Sequence, residues 1–322
     1  MKAIPIEINW HSGLSIYASE KFLRSVGDDY GWLGGIDNSG NLLCILPFTI
    51  VRKATVRMVR FRVETIPMSE NFSVESEKEF LSSCIEYFRS IHIDIIIPAT
   101  TNTIFRTYPD GAVAAPYGTL VIDLDQSQET ISKNFSSSHR RKVRLATKSG
   151  VQIKNGLEYV ETAYKMVRDT FKRRSSIKFM DYVAFKRMVD SLGENIKILV
   201  AIHQDVIQGC IVIPYSDYSA YYVYGGSIPS PITGAMNLTH WEAIRMFHDM
   251  GVKCYDFCGV RINPAKGSKQ EGLMSFKSRF GPNLVQGYMW KYSINPLKSA
   301  VYSLAVRFLK GGDIVDVERH KL

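Results

Sequence analysis

Short apolar runs of strand character alternate with helical stretches along the whole chain, and they do so twice in the same order. That alternation is the strongest constraint on the fold, because strands and helices mixed along one chain must pack as sheets covered by helices. The first half reads as a helix near 17–26, then GWLGGIDNSGNLLCILPFTIV, two apolar runs around an Asp-Asn-Ser-Gly turn that predict a hairpin. A strand VRMVRFRV (56–63), a helix near 76–90, a short strand IDIIIP and a strand GTLVIDL (118–124) follow. The second half has helices near 157–173 and 180–191, three strands ending in SAYYVYGGS, a helix over about 235–250, a strand VKCYDF, a helix near 268–279, a strand LVQGYMWKY and a last helix over 296–309. The pattern predicts an α/β (α+β) protein with mixed, mostly antiparallel sheets in two related domains. With 322 residues, 45% of them hydrophobic and 11% aromatic, the chain can fill a core of that size.

Forty Lys and Arg against thirty-one Asp and Glu leave a formal charge of +9, which favours anionic partners. The charge is concentrated in SSSHRRKVRLATKSG (136–150), where Arg140, Arg141, Lys142, Arg144 and Lys148 occur without a carboxylate among them. The segment predicts one helix that begins after Asp125 or Ser127 and ends at Gly150. At about 100° per residue, Arg140, Arg141, Arg144 and Lys148 share one arc, and Lys142 falls on the apolar side. The arc is either a solvated face or a ridge that touches phosphates.

The five cysteines are scattered, which suits a reducing compartment, and no metal site is expected from Cys254, Cys258 and His248. The N-terminus lacks the pattern of a signal peptide, and the longest apolar run, Leu42–Val51, is about half of what spans a bilayer. A cytoplasmic protein is expected.

LVIDL, FSSSHRRKVRLATKSGV, YYVYGGS, AMNLTHWEAIRMFHDMGVKCYDFCGV and SFKSRFG follow one another in an order and spacing that resemble FemAB-like transferases, over about residues 16–310. The resemblance implies two tandem domains of the acetyltransferase (GNAT) fold. Residues 1–149 with a returning 295–322 would form the first domain, and 150–294 the second, which carries the site. Characterised members of that family move an amino acid from aminoacyl-tRNA onto an amine of a cell-wall precursor, and sister groups serve other biosynthetic clusters. The resemblance therefore implies a charged tRNA as donor, an anionic, amine-bearing acceptor and no cofactor. It also matches Lys277, beside Phe276, to the family's functional lysine. By contrast, muropeptide-binding relatives carry a lysine near the first hairpin, where this chain has SVGDD and, further upstream, Arg24.

Acyl transfer to an amine needs a cationic or N–H donor for the tetrahedral oxyanion and a group to take the amine proton. Lys277 is the candidate cation. Tyr224, or Tyr222 on the same strand face, is the candidate for orienting the acyl group, and Asp256 either holds the substrate amine or pairs with Arg261. No Ser-His-Asp or Cys-His pattern is readable, so a covalent acyl-enzyme is not expected. Two alternatives stand beside this reading. An acyl-CoA-dependent N-acyltransferase would need a glycine-rich pyrophosphate turn where GGSIPSPITGAMN lies, and there Pro229 and Pro231 each lack a backbone donor. A non-catalytic RNA-binding protein would use the 140–148 ridge alone.

Overall fold

The computed structural model describes residues 1–70, 72–98, 103–174 and 179–319. Its first half contains β1 (Lys2–Ile6), α1 (Glu20–Val26), β2 (Asp29–Ile36), β3 (Leu42–Lys53), β4 (Val56–Phe61), β5 (Ile66–Pro67), α2 (Val74–Ser90), β6 (Ile95–Ile96) and β7 (Val113–Asp123). Next come α3 (Gln128–Asn134), α4 (Ser137–Lys148), β8 (Gln152–Asn155), α5 (Val160–Arg174), α6 (Tyr182–Leu192), β9 (Ile196–His203) and β10 (Val206–Pro214). The chain continues through β11 (Ala220–Tyr221), β12 (Tyr224–Ser227), α7 (Ala235–Asp249), β13 (Cys254–Asp256), α8 (Lys269–Ser278), β14 (Asn283–Ser293), α9 (Pro296–Lys310) and α10 (Ile314–Arg319).

One sheet runs β1-β2-β3-β4-β6-β14-β7-β13-β11 with β5 on β3, and a second runs β12-β10-β9-β8. Pairing is antiparallel except between β4 and β6 and between β11 and β13. The long strand β14 sews the halves together: Asn283 to Lys291 lie opposite β7, and Tyr292 and Ser293 opposite β6. A shared core reinforces that seam, since Tyr17, Phe22, Ile45 and Val63 of the first half pack in one cluster with Phe185, Ile198, Val212 and Tyr221 of the second. After β14, α9 turns back to the first half, where Lys298 pairs with Asp94 at 3.0 Å. Residues 320–322, the end of the expected first domain, lie outside the described residues.

Two sequence expectations are corrected. SAYYVYGGS is not one strand. Ala220 and Tyr221 pair with β13, and the Tyr222 amide still donates to the Asp256 carbonyl, but the Val223 amide donates to Val212 and the chain continues on β10. The two sheets therefore part at Tyr222–Val223. The basic segment is likewise two helices instead of one. Phe135 adopts an extended conformation so that its ring can bury against Trp241 and Phe280, and Ser136 caps a fresh helix by accepting from the His139 amide.

Candidate active site

Lys277 lies in the last turn of α8, a helix capped by Ser268 and anchored by the fully buried Phe280. Only 5% of Lys277 is exposed. Its Nζ donates to the carbonyls of Cys258 (2.5 Å) and Gly259 (3.2 Å), in the turn after β13 where Cys258 holds φ +54°. An ammonium has three protons, so one remains for a further acceptor. Burial lowers the lysine's proton affinity, and the nearby Cys258 and Asp256 oppose that shift.

Asp256, at the end of β13, is the neighbouring carboxylate. Its Oδ1 accepts from the Cys258 amide at 2.7 Å and from the Thr119 hydroxyl of β7. Burial pushes it up to about 6 against the pull of Thr119, the Cys258 amide and Lys277. Asp256 does not pair with Arg261, as one reading of the sequence had it: Arg261 reaches Glu318 of α10 at 3.0 Å.

The two tyrosines do not share a face, because the strand changes sheets between them. The Tyr222 ring stands perpendicular to His240 at 4.5 Å, whereas Tyr224 packs on Phe179 at 5.0 Å in the core shared by both halves. Burial raises Tyr224 to about 12, opposed by Arg62 and Arg60 of the first half. Burial also brings Arg62 down to about 9, and the charge of Arg60 adds to that effect.

Glu64 was not legible as a site residue. It follows the Arg57, Arg60, Arg62 strand directly and is only partly exposed. Burial pushes its carboxyl up to about 8; backbone N–H groups of Glu64 and Ile104 oppose this, and the like charges of Asp256 and Glu77 add to it. An acid placed straight after an arginine-rich apolar strand was the available signal.

Around Lys277 lies an aromatic layer in which Phe276 meets His139, His240 and Phe280 at 5.3–5.7 Å. His139 bonds the Phe276 carbonyl through Nε2 (3.1 Å), and His240 bonds the Tyr255 hydroxyl through Nδ1 (2.9 Å). Burial depresses the two imidazoles to about 4 and about 3, so both are neutral near pH 7.

Beyond this layer is the basic helix α4. Arg141, Arg144 and Lys148 are exposed, but Arg140 is engaged: its guanidinium donates to the carbonyls of Lys133 (2.7 Å) and Phe135 that α3 leaves open. Arg140 and Arg144 line a groove of ≈ 230 Å³ with Ser132, Phe135, Val143 and Trp241. On its other side α4 covers the start of α7. Gly234 caps α7 at φ +87°, and a Cβ there would come within 2.1 Å of the Lys142 carbonyl oxygen. Among the described residues there is no cluster of three or more metal-ligating side chains, and no helix is long and apolar enough to cross a membrane.

Residues 110–206, from the bridging strand β7 through the basic helix to the start of β10, match the FemAB family. The crystal structure of FemX superposes with a TM-score of 0.71 over 94% of this chain and 100% of that one, at 14% identity. The chain is FemAB-like. L-PGS from Bacillus licheniformis is similar with a TM-score of 0.51 at 14% identity, over 89% of this chain and 91% of that one. A tandem GNAT protein from the clavulanic acid biosynthesis pathway gives 0.50 at 11% identity, over 85% and 86%. These likenesses, with the parting of a mixed and an antiparallel sheet at Tyr222–Val223, make the fold of the FemAB-like chain GNAT-like α/β. No curated protein matches it in sequence.

Proposed function

We propose that the FemAB-like chain is an aminoacyltransferase that moves an amino acid from aminoacyl-tRNA to an amine of a cell-wall or other biosynthetic precursor in the cytoplasm. The observation that carries this reading is Lys277, a buried ammonium with two protons held by backbone carbonyls and a third left for a further acceptor. The acceptor nitrogen attacks the ester carbonyl, and the third proton of Lys277 meets the oxyanion as it forms. Glu64, close to neutral pH in its affinity, takes the proton that the amine loses. When the intermediate collapses, the C–O bond to the terminal ribose breaks, and the ribose oxygen takes up a proton in turn. Tyr224 orients the acyl group, while the half-buried Arg60 attracts the anionic part of the acceptor.

A tRNA donor is supported by the groove at α4, where Arg140 and Arg144 border the exposed edge of Trp241, a combination suited to phosphate and base. An acyl-CoA donor is disfavoured at α7. A helix N-terminus that cradles pyrophosphate must present open N–H groups, yet Ala235, Asn237 and Leu238 are buried and the Lys142 carbonyl abuts Gly234. The test is incubation with charged tRNA and a panel of amine acceptors. Transfer of the labelled amino acid is expected; turnover on acyl-CoA with none from tRNA would overturn the proposal.

A further inference from the structure

Helix α9 is attached to the protein by one side only. Ser299 is 6% exposed and Tyr302 packs beside Met58, Ile95 and Ile97. On the opposite side Leu297, Val301, Leu304 and Phe308 are 81, 66, 56 and 88% exposed. At about 100° per residue these four fall within an arc of about 60°, and Leu309, 82% exposed, widens it. A lone exposed leucine is ordinary, but a continuous apolar row over three turns marks an interaction surface.

The charges around the row indicate what covers it. Pro296–Lys310 contains Lys298, Arg307 and Lys310 and no carboxylate. Lys298 is neutralised by Asp94, but it also donates to the Thr55 carbonyl at 2.9 Å, which sets the β3–β4 turn, with exposed Arg52 and Lys53, next to the helix. An apolar row edged by cations suits the boundary between acyl chains and anionic headgroups. It suits a second copy of the chain less well, since an isologous contact would set this cationic edge against itself.

We propose that α9 is an interfacial helix that attaches the protein to the surface of an anionic phospholipid bilayer. It inserts Leu297, Val301, Leu304 and Phe308 below the headgroups, with Arg307, Arg52 and Lys53 at headgroup level. The proposal does not depend on the transfer reaction.

Flotation of the full chain with phosphatidylcholine vesicles, with and without phosphatidylglycerol, tests it. Binding to the anionic vesicles is expected, weakened by salt. Leu304→Ser with Phe308→Ser should lower the partition coefficient at least about tenfold while the melting temperature changes little, because both side chains are more than half exposed. Arg307→Glu should weaken binding on the anionic vesicles alone. The proposal is overturned by an absence of binding, by binding that the double substitution leaves intact, as attachment through α4 would, or by a dimer in sedimentation that the double substitution dissociates without any vesicle binding.

Discussion

Replacing Lys277 by Met separates the lysine's two roles. Its Nζ supplies hydrogen bonds to the carbonyls of Cys258 and Gly259, and the loss of a partner for a buried acceptor costs about 1–3 kcal/mol. Its charge also pulls down the proton affinity of Asp256, which burial has pushed up to about 6. Because that value is raised, the carboxyl's contribution to stability is present at low pH and is lost as pH rises through 6. Without the ammonium the loss grows, so Lys277→Met should destabilise by about 2–4 kcal/mol at pH 8 and by less at pH 5, where Asp256 is largely protonated in both proteins. The catalytic effect is separate and larger in rate. An oxyanion donor is worth roughly 3 kcal/mol in the transition state, so kcat should fall about 10²- to 10³-fold with KM little changed. Urea denaturation at the two pH values, followed by single-turnover transfer under conditions where the variant is folded, measures both. A folded variant with kcat within about tenfold of the parent would refute the argument and leave Lys277 as a strut for the 258–259 turn.

Glu64→Gln should flatten the pH–rate profile, which in the parent rises through about 8, and lower kcat by at least about 10²-fold at its maximum. Since burial raises this carboxyl from 4.5, its contribution to stability is present below about pH 4.5 and lost through pH 8; the variant should therefore gain a few kcal/mol over the parent at pH 9 and nothing at pH 4, as followed by thermal denaturation. In filter binding, Arg144→Ala should reduce the salt slope for tRNA by about 1, and Trp241→Ala should cost about 1–3 kcal/mol of affinity. Arg140→Ala should act on stability instead, because its guanidinium closes the end of α3.

The order of strands and helices was legible because each carries its own period, and helix ends were marked by caps such as Ser127 and Gly150. The break at Phe135 was not legible. Three serines and an aromatic are tolerable within a helix, and only Trp241 and Phe280, more than a hundred residues away, reward Phe135 for leaving it. The split at Tyr222–Val223 has the same character, since YYVYGGS is locally one strand and the choice between β13 and β10 is tertiary. In the site, Lys277 and Asp256 stood out by motif, but their separation by Cys258 and Gly259 backbone could not be read from spacing. Glu64 lies in none of the motifs that carried the resemblance, and its chemistry arises from the residues that desolvate it.

The packing of α4 on α7 decides which faces of both helices reach solvent. In a GNAT-like fold the helix after the splayed strand offers its N-terminal N–H groups and the positive end of its dipole to a phosphate. Here the Ala235 amide bonds to Ile232, and α4 lies so close over Gly234 that a side chain there would collide with the Lys142 carbonyl. That approach requires the absence of a side chain at Gly234 and the small, fully buried Ala146 at the contact. With its inner face committed to α7, α4 can carry cations only outward, and it does so beside Trp241, the one large aromatic of α7 that faces the same groove. The basic helix is thus both what packs over the start of α7 and what carries the exposed cations beside Trp241.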